Sequence, residues 1–186
     1  MDRPQVSVFI AASMDGFIAA SDGSIAFLDC VQAPGEDYGF GTFFAGIDTV
    51  VLGRNTWETT QGFSQWPFTG KQVTVLSHRP LAATHGESVH AGPLAPLLER
   101  LRESGARRIY LDGGAAIRQG LAEGVIDDMT LSTIPVLLGK GRPLFGAEAG
   151  ASGWPGTLWR LAGIDAFPSG LVQCRWQRTP PSHLPY

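Results

Sequence analysis

The sequence predicts one α/β domain on a mixed, mostly parallel sheet, and three observations predict it. Short apolar runs alternate with stretches of helical periodicity between Gln5 and Asp128, the order that parallel strands and crossover helices produce. Those runs are apolar throughout rather than on every second residue, as strands buried on both faces are. The last two runs, Leu158–Phe167 and Leu171–Arg178, flank Pro168–Ser169–Gly170 and read as an antiparallel hairpin. A chain of 186 residues is long enough for one full-sized core. We therefore expect one domain over residues 1–178 and a fraying Pro-rich tail over 179–186.

Gln5–Ala12 is the first strand, and Ser13–Met14–Asp15–Gly16 is a turn that returns through Phe17–Ala20 into a polar, Gly-containing loop. Asp37–Ala45 is a short helix, because Phe40, Phe43 and Phe44 at i, i+3 and i+4 make one side apolar. Asp48–Gly53 is a strand running directly into a second helix, where Asn55 and Glu58 have capping-box spacing. Lys71–Ser77 is a strand ending at His78–Arg79–Pro80. Pro93–Ser104 carries Leu94, Leu97, Leu98 and Leu101 on one side and reads as a crossover helix. Arg107–Asp112 is a strand leading through Gly113–Gly114 into a helix from Ala115 to about Glu123, stopped by Gly124. Asp128–Pro135 supplies a further strand.

Composition narrows the function. There are 14 Lys and Arg against 17 Asp and Glu, a net charge of −3, and no like-charge run longer than a pair, so nucleic acid and anionic membrane are poor partners. Cys30 and Cys174 are the two cysteines; without CxxC spacing they indicate neither a disulfide framework nor a zinc site, and they fit a reducing cytoplasm. No signal-peptide or spanning pattern follows Met1. Ser13, Ser132 and Thr133 lack the GxSxG setting of an activated nucleophile. Trp57, Trp66, Trp154, Trp159 and Trp176 are too scattered for a stacking stripe, and His85, His90 and His183 have no partner at fixed spacing; packing roles are the expectation.

In an α/β sheet, ligands bind beyond the carboxyl ends of the strands. Three such ends suit phosphate here: Gly53–Arg54–Asn55–Thr56, Ser77–His78–Arg79 and Gly113–Gly114–Ala115–Ala116. Each is also ordinary turn chemistry when taken alone. Neither GxGxxG nor GxxxxGK[ST] occurs, so the dinucleotide-fold and P-loop modes of nucleotide binding are disfavoured.

Ile10–Ala11–Ala12 with Asp15–Gly16, Leu52–Gly53–Arg54–Asn55–Thr56–Trp57–Glu58, Val75–Leu76–Ser77, and Gly113–Gly114 ahead of Met129–Thr130–Leu131 together resemble dihydrofolate reductase. The Ser13–Gly16 turn and Ile134–Pro135–Val136–Leu137–Leu138–Gly139–Lys140–Gly141 resemble the reductase domain of bifunctional riboflavin-biosynthesis deaminase-reductases. The resemblance runs from Val6 to Arg178 and implies a three-layer dihydrofolate-reductase-like fold. It also implies an NADPH-dependent oxidoreductase acting on a pteridine- or pyrimidine-type heterocycle or imine, similar to 5-amino-6-(5-phosphoribosylamino)uracil reductase. Dihydrofolate reduction and a non-catalytic NADPH-binding sensor are the alternatives.

Carried over by position, Gly53, Arg54, Asn55 and Thr56 are implied to hold the adenosine-side phosphates, and Leu76, Ser77, His78 and Arg79 the adenine and 2′-phosphate. Gly113, Gly114, Ala115 and Ala116 are implied to hold the pyrophosphate, and Ala11, Ala12 and Ile18 to line the nicotinamide. Asp37 falls where dihydrofolate reductases carry the acid that grips the pterin, with Phe40 and Phe44 beside the substrate. Such a carboxylate, desolvated by phenylalanines, would suit proton donation; as a helix-start residue it would equally serve as a cap. The resemblance further implies that the Asp15–Asp29 loop closes over the site. Phe9, Ser24–Ile25–Ala26 and Trp57–Glu58 stand where riboflavin-pathway domains carry a lysine, a Ser-x-Trp segment and an Asp-Pro motif, so the handles for a phosphoribosyl group are missing. No metal ligand set and no deaminase zinc motif is present. The terminal hairpin offers an edge for a homodimer.

Overall fold

The structure, a computed structural model, describes residues 3–146 and 156–179. The strands are β1 (Gln5–Ser13), β2 (Phe17–Ala19), β3 (Thr49–Gly53), β4 (Gln72–Leu76), β5 (Ser88–His90), β6 (Arg108–Asp112), β7 (Asp128–Ile134), β8 (Arg142–Pro143), β9 (Trp159–Ala166) and β10 (Val172–Arg178). The helices are α1 (Phe40–Ala45), α2 (Arg54–Thr60), α3 (Leu94–Glu103) and α4 (Gly114–Ala122). Among the described residues, eight strands form one sheet in the order β5-β4-β3-β6-β1-β7-β10-β9. Pairing is parallel from β5 to β7 and antiparallel across β7, β10 and β9. The expected mixed sheet with a closing hairpin is therefore present, and the Pro168–Gly170 turn joins its last two strands.

Two apolar clusters, one on each side of the sheet, make three layers. Val6, Val8, Val51, Ile109 and Leu111 pack with the α3 leucines and with Ala116, Ile117 and Leu121 of α4. Their strand neighbours Val50, Leu52 and Tyr110, with Val73 and Val75, pack with Trp57 of α2 and with Phe43, Phe44 and Phe68. Alternation of Val50, Val51 and Leu52 between the clusters is the period of two expected of a strand with both faces covered. Leu94, Leu97, Leu98 and Leu101 are almost completely buried, each contributing roughly 2 kcal/mol of transfer free energy. Pro96 is tolerated because it falls in the first turn of α3, where an N–H has no intrahelical acceptor.

Four local expectations change. The helix expected over Asp37–Ala45 begins only at Phe40, because Tyr38 and Gly39 have φ of 55° and 79°, which a right-handed helix excludes. Helix α2 begins at Arg54 straight from β3, with Gly53 as a cap that has no side chain; Glu58 accepts from Arg54 Nε at 2.7 Å instead of closing a capping box on Asn55. Strands β5 and β8 were not expected, being only three and two residues long. The stretch from Asp15 to Asp29, read as one loop, is tied twice: β2 pairs with β8, and Ala26–Val31 forms a 3-10 turn. The tail beyond Thr179, with Trp154 and His183, lies outside the described residues. No helix among the described residues is long and apolar enough to cross a membrane.

Candidate active site

The carboxyl ends of β4, β3, β6 and β1 open on one edge of the sheet, and the segments that follow them line a cleft of about 1410 Å³. The three strand-end segments picked from the sequence meet there. Gly53, Arg54, Asn55 and Thr56 enter from β3 and α2, Leu76, Ser77 and His78 from β4, and Gly113, Gly114, Ala115 and Ala116 from β6 and α4. Ala11 lines it from β1 and Ile18 from β2. Two expected residues do not line it: Ala12 is buried in the core below, and Arg79 is exposed beyond the rim.

The start of α4 is the most constrained part. Gly113 has φ +95°, and a Cβ there would collide with Thr56 Oγ1; a Cβ on Gly114 would stand 2.6 Å from Ile18 Cδ1. A side chain at either position would displace the neighbour that closes the cleft. The first-turn amides of α4 have no acceptor within the helix, so two bare glycines leave donor groups and positive dipole facing the cleft. That is a fit for the diphosphate of a dinucleotide, and the donors nearby agree: the guanidiniums of Arg118 and Arg142 line the same cleft, with the imidazoles of His78 and His90. Sequence reasoning missed three of these four. Arg118 was legible as the residue four after Gly114, one helical turn on, whereas Arg142 arrives only through β8 pairing with β2.

Arg54 has a more structural role than its sequence suggested. Its Nη1 donates to Ser77 Oγ at 2.9 Å and to the carbonyls of Arg79 and Pro80 at 3.3 Å, while Nε holds Glu58. Ser77 in turn donates to the Arg79 carbonyl at 2.8 Å and accepts from the Arg79 N–H at 3.1 Å. Together they brace the loop after β4 against α2.

A second cavity of about 400 Å³ shares Ala11, Leu28 and Phe40 with the cleft, so the two are neighbours. Its walls are Phe9, Val31, Tyr38, Ile134 and Leu171, with Gln32, Glu36, Asp37 and Ser132 as polar groups. Phe44 lines neither cavity; it stacks behind Phe40 with ring centroids 5.5 Å apart. Asp37 does line the pocket, but it is exposed, and its carboxylate accepts the Gly39 N–H at 2.8 Å and the Gly41 N–H at 2.9 Å. The desolvation expected from neighbouring phenylalanines is not what the fold supplies, because the Asp37–Gly39 turn faces water.

Asp112 is the desolvated acid. It ends β6 one residue before the diglycine and faces the cleft beside Tyr110. Burial pushes its carboxyl up to about 6, although the Gly113 N–H at 2.8 Å and the neighbouring Tyr110 hydroxyl pull it partly back. The same burial, reinforced by Asp112, raises Tyr110 well above the usual phenol range; its hydroxyl donates to the Phe9 carbonyl at 3.0 Å. An acid at the last position of a strand, just before Gly-Gly, was the available signal for Asp112.

Comparison with known proteins adds the lineage. The profile of the family described as RibD C-terminal domain matches residues 4–173. The chain is 36% identical over 149 residues to the uncharacterized protein YwjB of Bacillus subtilis (strain 168), covering 78% of this chain and 84% of that one. A crystal structure from Shewanella sp. PV-4, of a protein provisionally assigned to riboflavin biosynthesis, superposes with a TM-score of 0.86 at 31% identity, covering 95% of this chain and 99% of that one. Dihydrofolate reductase from Enterococcus faecalis, solved with NADP(H), superposes with a TM-score of 0.63 at 14% identity, covering 95% and 97%. The last likeness is one of fold.

Proposed function

The chain belongs to the RibD C-terminal domain family, and from that premise we propose that it is an NADPH-dependent reductase of a small pteridine- or pyrimidine-type heterocycle or imine. One observation carries the reading. A long cleft with helix-start amides and cations lies against a compact aromatic pocket, the two sharing Ala11, Leu28 and Phe40 as walls. An extended polyanionic dinucleotide suits the first part and a flat ring the second.

Bound NADPH would supply the hydride; the chain supplies binding, alignment and a proton. Gly113, Gly114, Ala115 and Ala116 would take the diphosphate, Arg118 and Arg142 its charge, and His78 with the Ser77 loop the adenosine end. Ala11 and Phe40, shared by the two cavities, and Ile18 of the cleft would set the face on which the rings meet and keep water from it. Asp112, protonated below about pH 6 and in a minority of molecules at neutrality, would deliver that proton to the ring nitrogen of the acceptor as the adjacent carbon is reduced. Asp37 would orient the acceptor from the opposite wall, its geometry fixed by the two backbone N–H groups it caps.

Titrating the purified protein with NADPH, then following loss of cofactor absorbance with dihydropterins and aminouracils, tests this. Micromolar binding with oxidation by one of these acceptors is expected. Binding without oxidation by any acceptor would favour the sensor alternative, and no binding of NADPH would end the proposal. A second copy of the chain is proposed to pair along β9, an edge strand on which Leu161 and Ile164 are exposed, with Leu158 exposed just before it.

A further inference from the structure

The charges around the two neighbouring cavities are sorted. The arginines gather where the dinucleotide would lie, whereas the acidic groups of the 400 Å³ pocket are the carboxylates of Glu36 and Asp37. Among the described residues, no Lys, Arg or His lines that pocket. Glu36 is fixed in place, its Oε1 accepting the Tyr38 N–H at 2.7 Å, as Asp37 is by Gly39 and Gly41. Two carboxylates anchored this way keep their charge toward the pocket, and a phosphate there would meet like charge with no donor cation among the described lining residues to offset it. The inner walls are rings and aliphatic groups: Phe9, Phe40 and Tyr38 offer faces for stacking, and Gln32 and Ser132 offer neutral polar contacts.

From this juxtaposition of two anchored carboxylates and aromatic walls, we infer that the acceptor is an uncharged or cationic ring compound that carries no phosphate or carboxylate. The inference rests on the reductase reading for the identity of the pocket. It narrows that reading by setting this chain apart from a phosphoribosyl-substrate reductase and from one acting on the dicarboxylate folates.

The test is a comparison of matched ligands by calorimetry, on the protein with and without NADPH. One pair is 5-amino-6-(ribosylamino)uracil and its 5′-phosphate; the other is 7,8-dihydrobiopterin and 7,8-dihydrofolate. The neutral member of at least one pair is expected to bind at least tenfold more tightly than its anionic partner. Glu36→Gln, which keeps an acceptor for Tyr38 while removing one charge, is expected to narrow that ratio several-fold, and raised salt to do the same. Equal or tighter binding of the anionic members overturns the inference, as does failure of both neutral members to bind. Loss of NADPH binding alone would instead remove the reductase reading, because ligand affinity in the smaller pocket is read separately on the protein without cofactor.

Discussion

Asp112 shows how one position acquires chemistry from its neighbours. Its carboxyl lies at about 6 because burial opposes charge, so between roughly 4 and 6 the folded state holds a proton that the unfolded chain has released. The sign follows: the native carboxylate costs stability above about pH 6, and that cost disappears as the pH falls toward 4. Asp112→Asn is accordingly expected to raise stability by about 1–2 kcal/mol near pH 8 and by almost nothing near pH 4, measured by urea unfolding at both. Turnover should fall by at least about tenfold in the same variant, and the loss of wild-type rate above about pH 6 should vanish from its profile. An unchanged profile would reject Asp112 as the proton source. At Gly113, φ of +95° together with Thr56 Oγ1 leaves no room for a side chain; Gly113→Ala should cost about 1–3 kcal/mol and weaken NADPH binding at least about tenfold. Gly113 could be found from sequence because Gly-Gly between strand and helix is a local signal. Asp112 was passed over because its burial is a property of the assembled fold, which local sequence does not display.

Helix α2 illustrates what an element needs beyond its own propensity. It has seven residues and no side-chain cap, too short to persist alone. It is held by Trp57, whose indole Nε1 donates to Glu87 Oε1 at 2.8 Å inside the fold, and by Arg54 bracing the loop after β4. Burial pushes the Glu87 carboxyl up, but bonds from Trp57 and from the Glu87 and His85 N–H groups outweigh it, and its pKa lies below the usual value. A lowered carboxyl adds stability above its unfolded pKa that is lost as the pH falls through the folded one. Trp57→Phe should therefore cost about 1–3 kcal/mol near neutrality by leaving a buried carboxylate oxygen unpaired, with a smaller deficit near pH 3. A deficit independent of pH would mean that packing alone is at work. The amphipathic α3 was legible because its leucines repeat at helical spacing. The start of α1 was not, since it depends on Tyr38 and Gly39 adopting left-handed φ and on Asp37 capping the turn they make.

At the scale of the molecule, the sheet ends in a strand whose outer edge is open. Leu161 and Ile164 on β9, with Leu158 just before it, are about half exposed, a pattern that invites a second copy. Light scattering is expected to give twice the 19.8 kDa chain mass, and Ile164→Lys to return it to the monomer value. A wild-type monomer would remove the dimer proposal. The cleft lies away from that edge, because it is lined from the ends of β4, β3, β6 and β1, whereas β9 closes the far side of the sheet.

The sequence by itself determined the α/β class, the terminal hairpin, the α3 and α4 faces and the three glycine- and donor-bearing strand ends, because each is written in local spacing and turn chemistry. Tertiary structure decided which residues those ends would be joined by. Parallel pairing of β4, β3, β6 and β1 aims their carboxyl ends at one space, and only that convergence brings in Arg142 from a distant two-residue strand, desolvates Asp112 and leaves Asp37 in water. Burial and long-range charge belong to the assembled molecule, since both depend on residues that chain order keeps far apart.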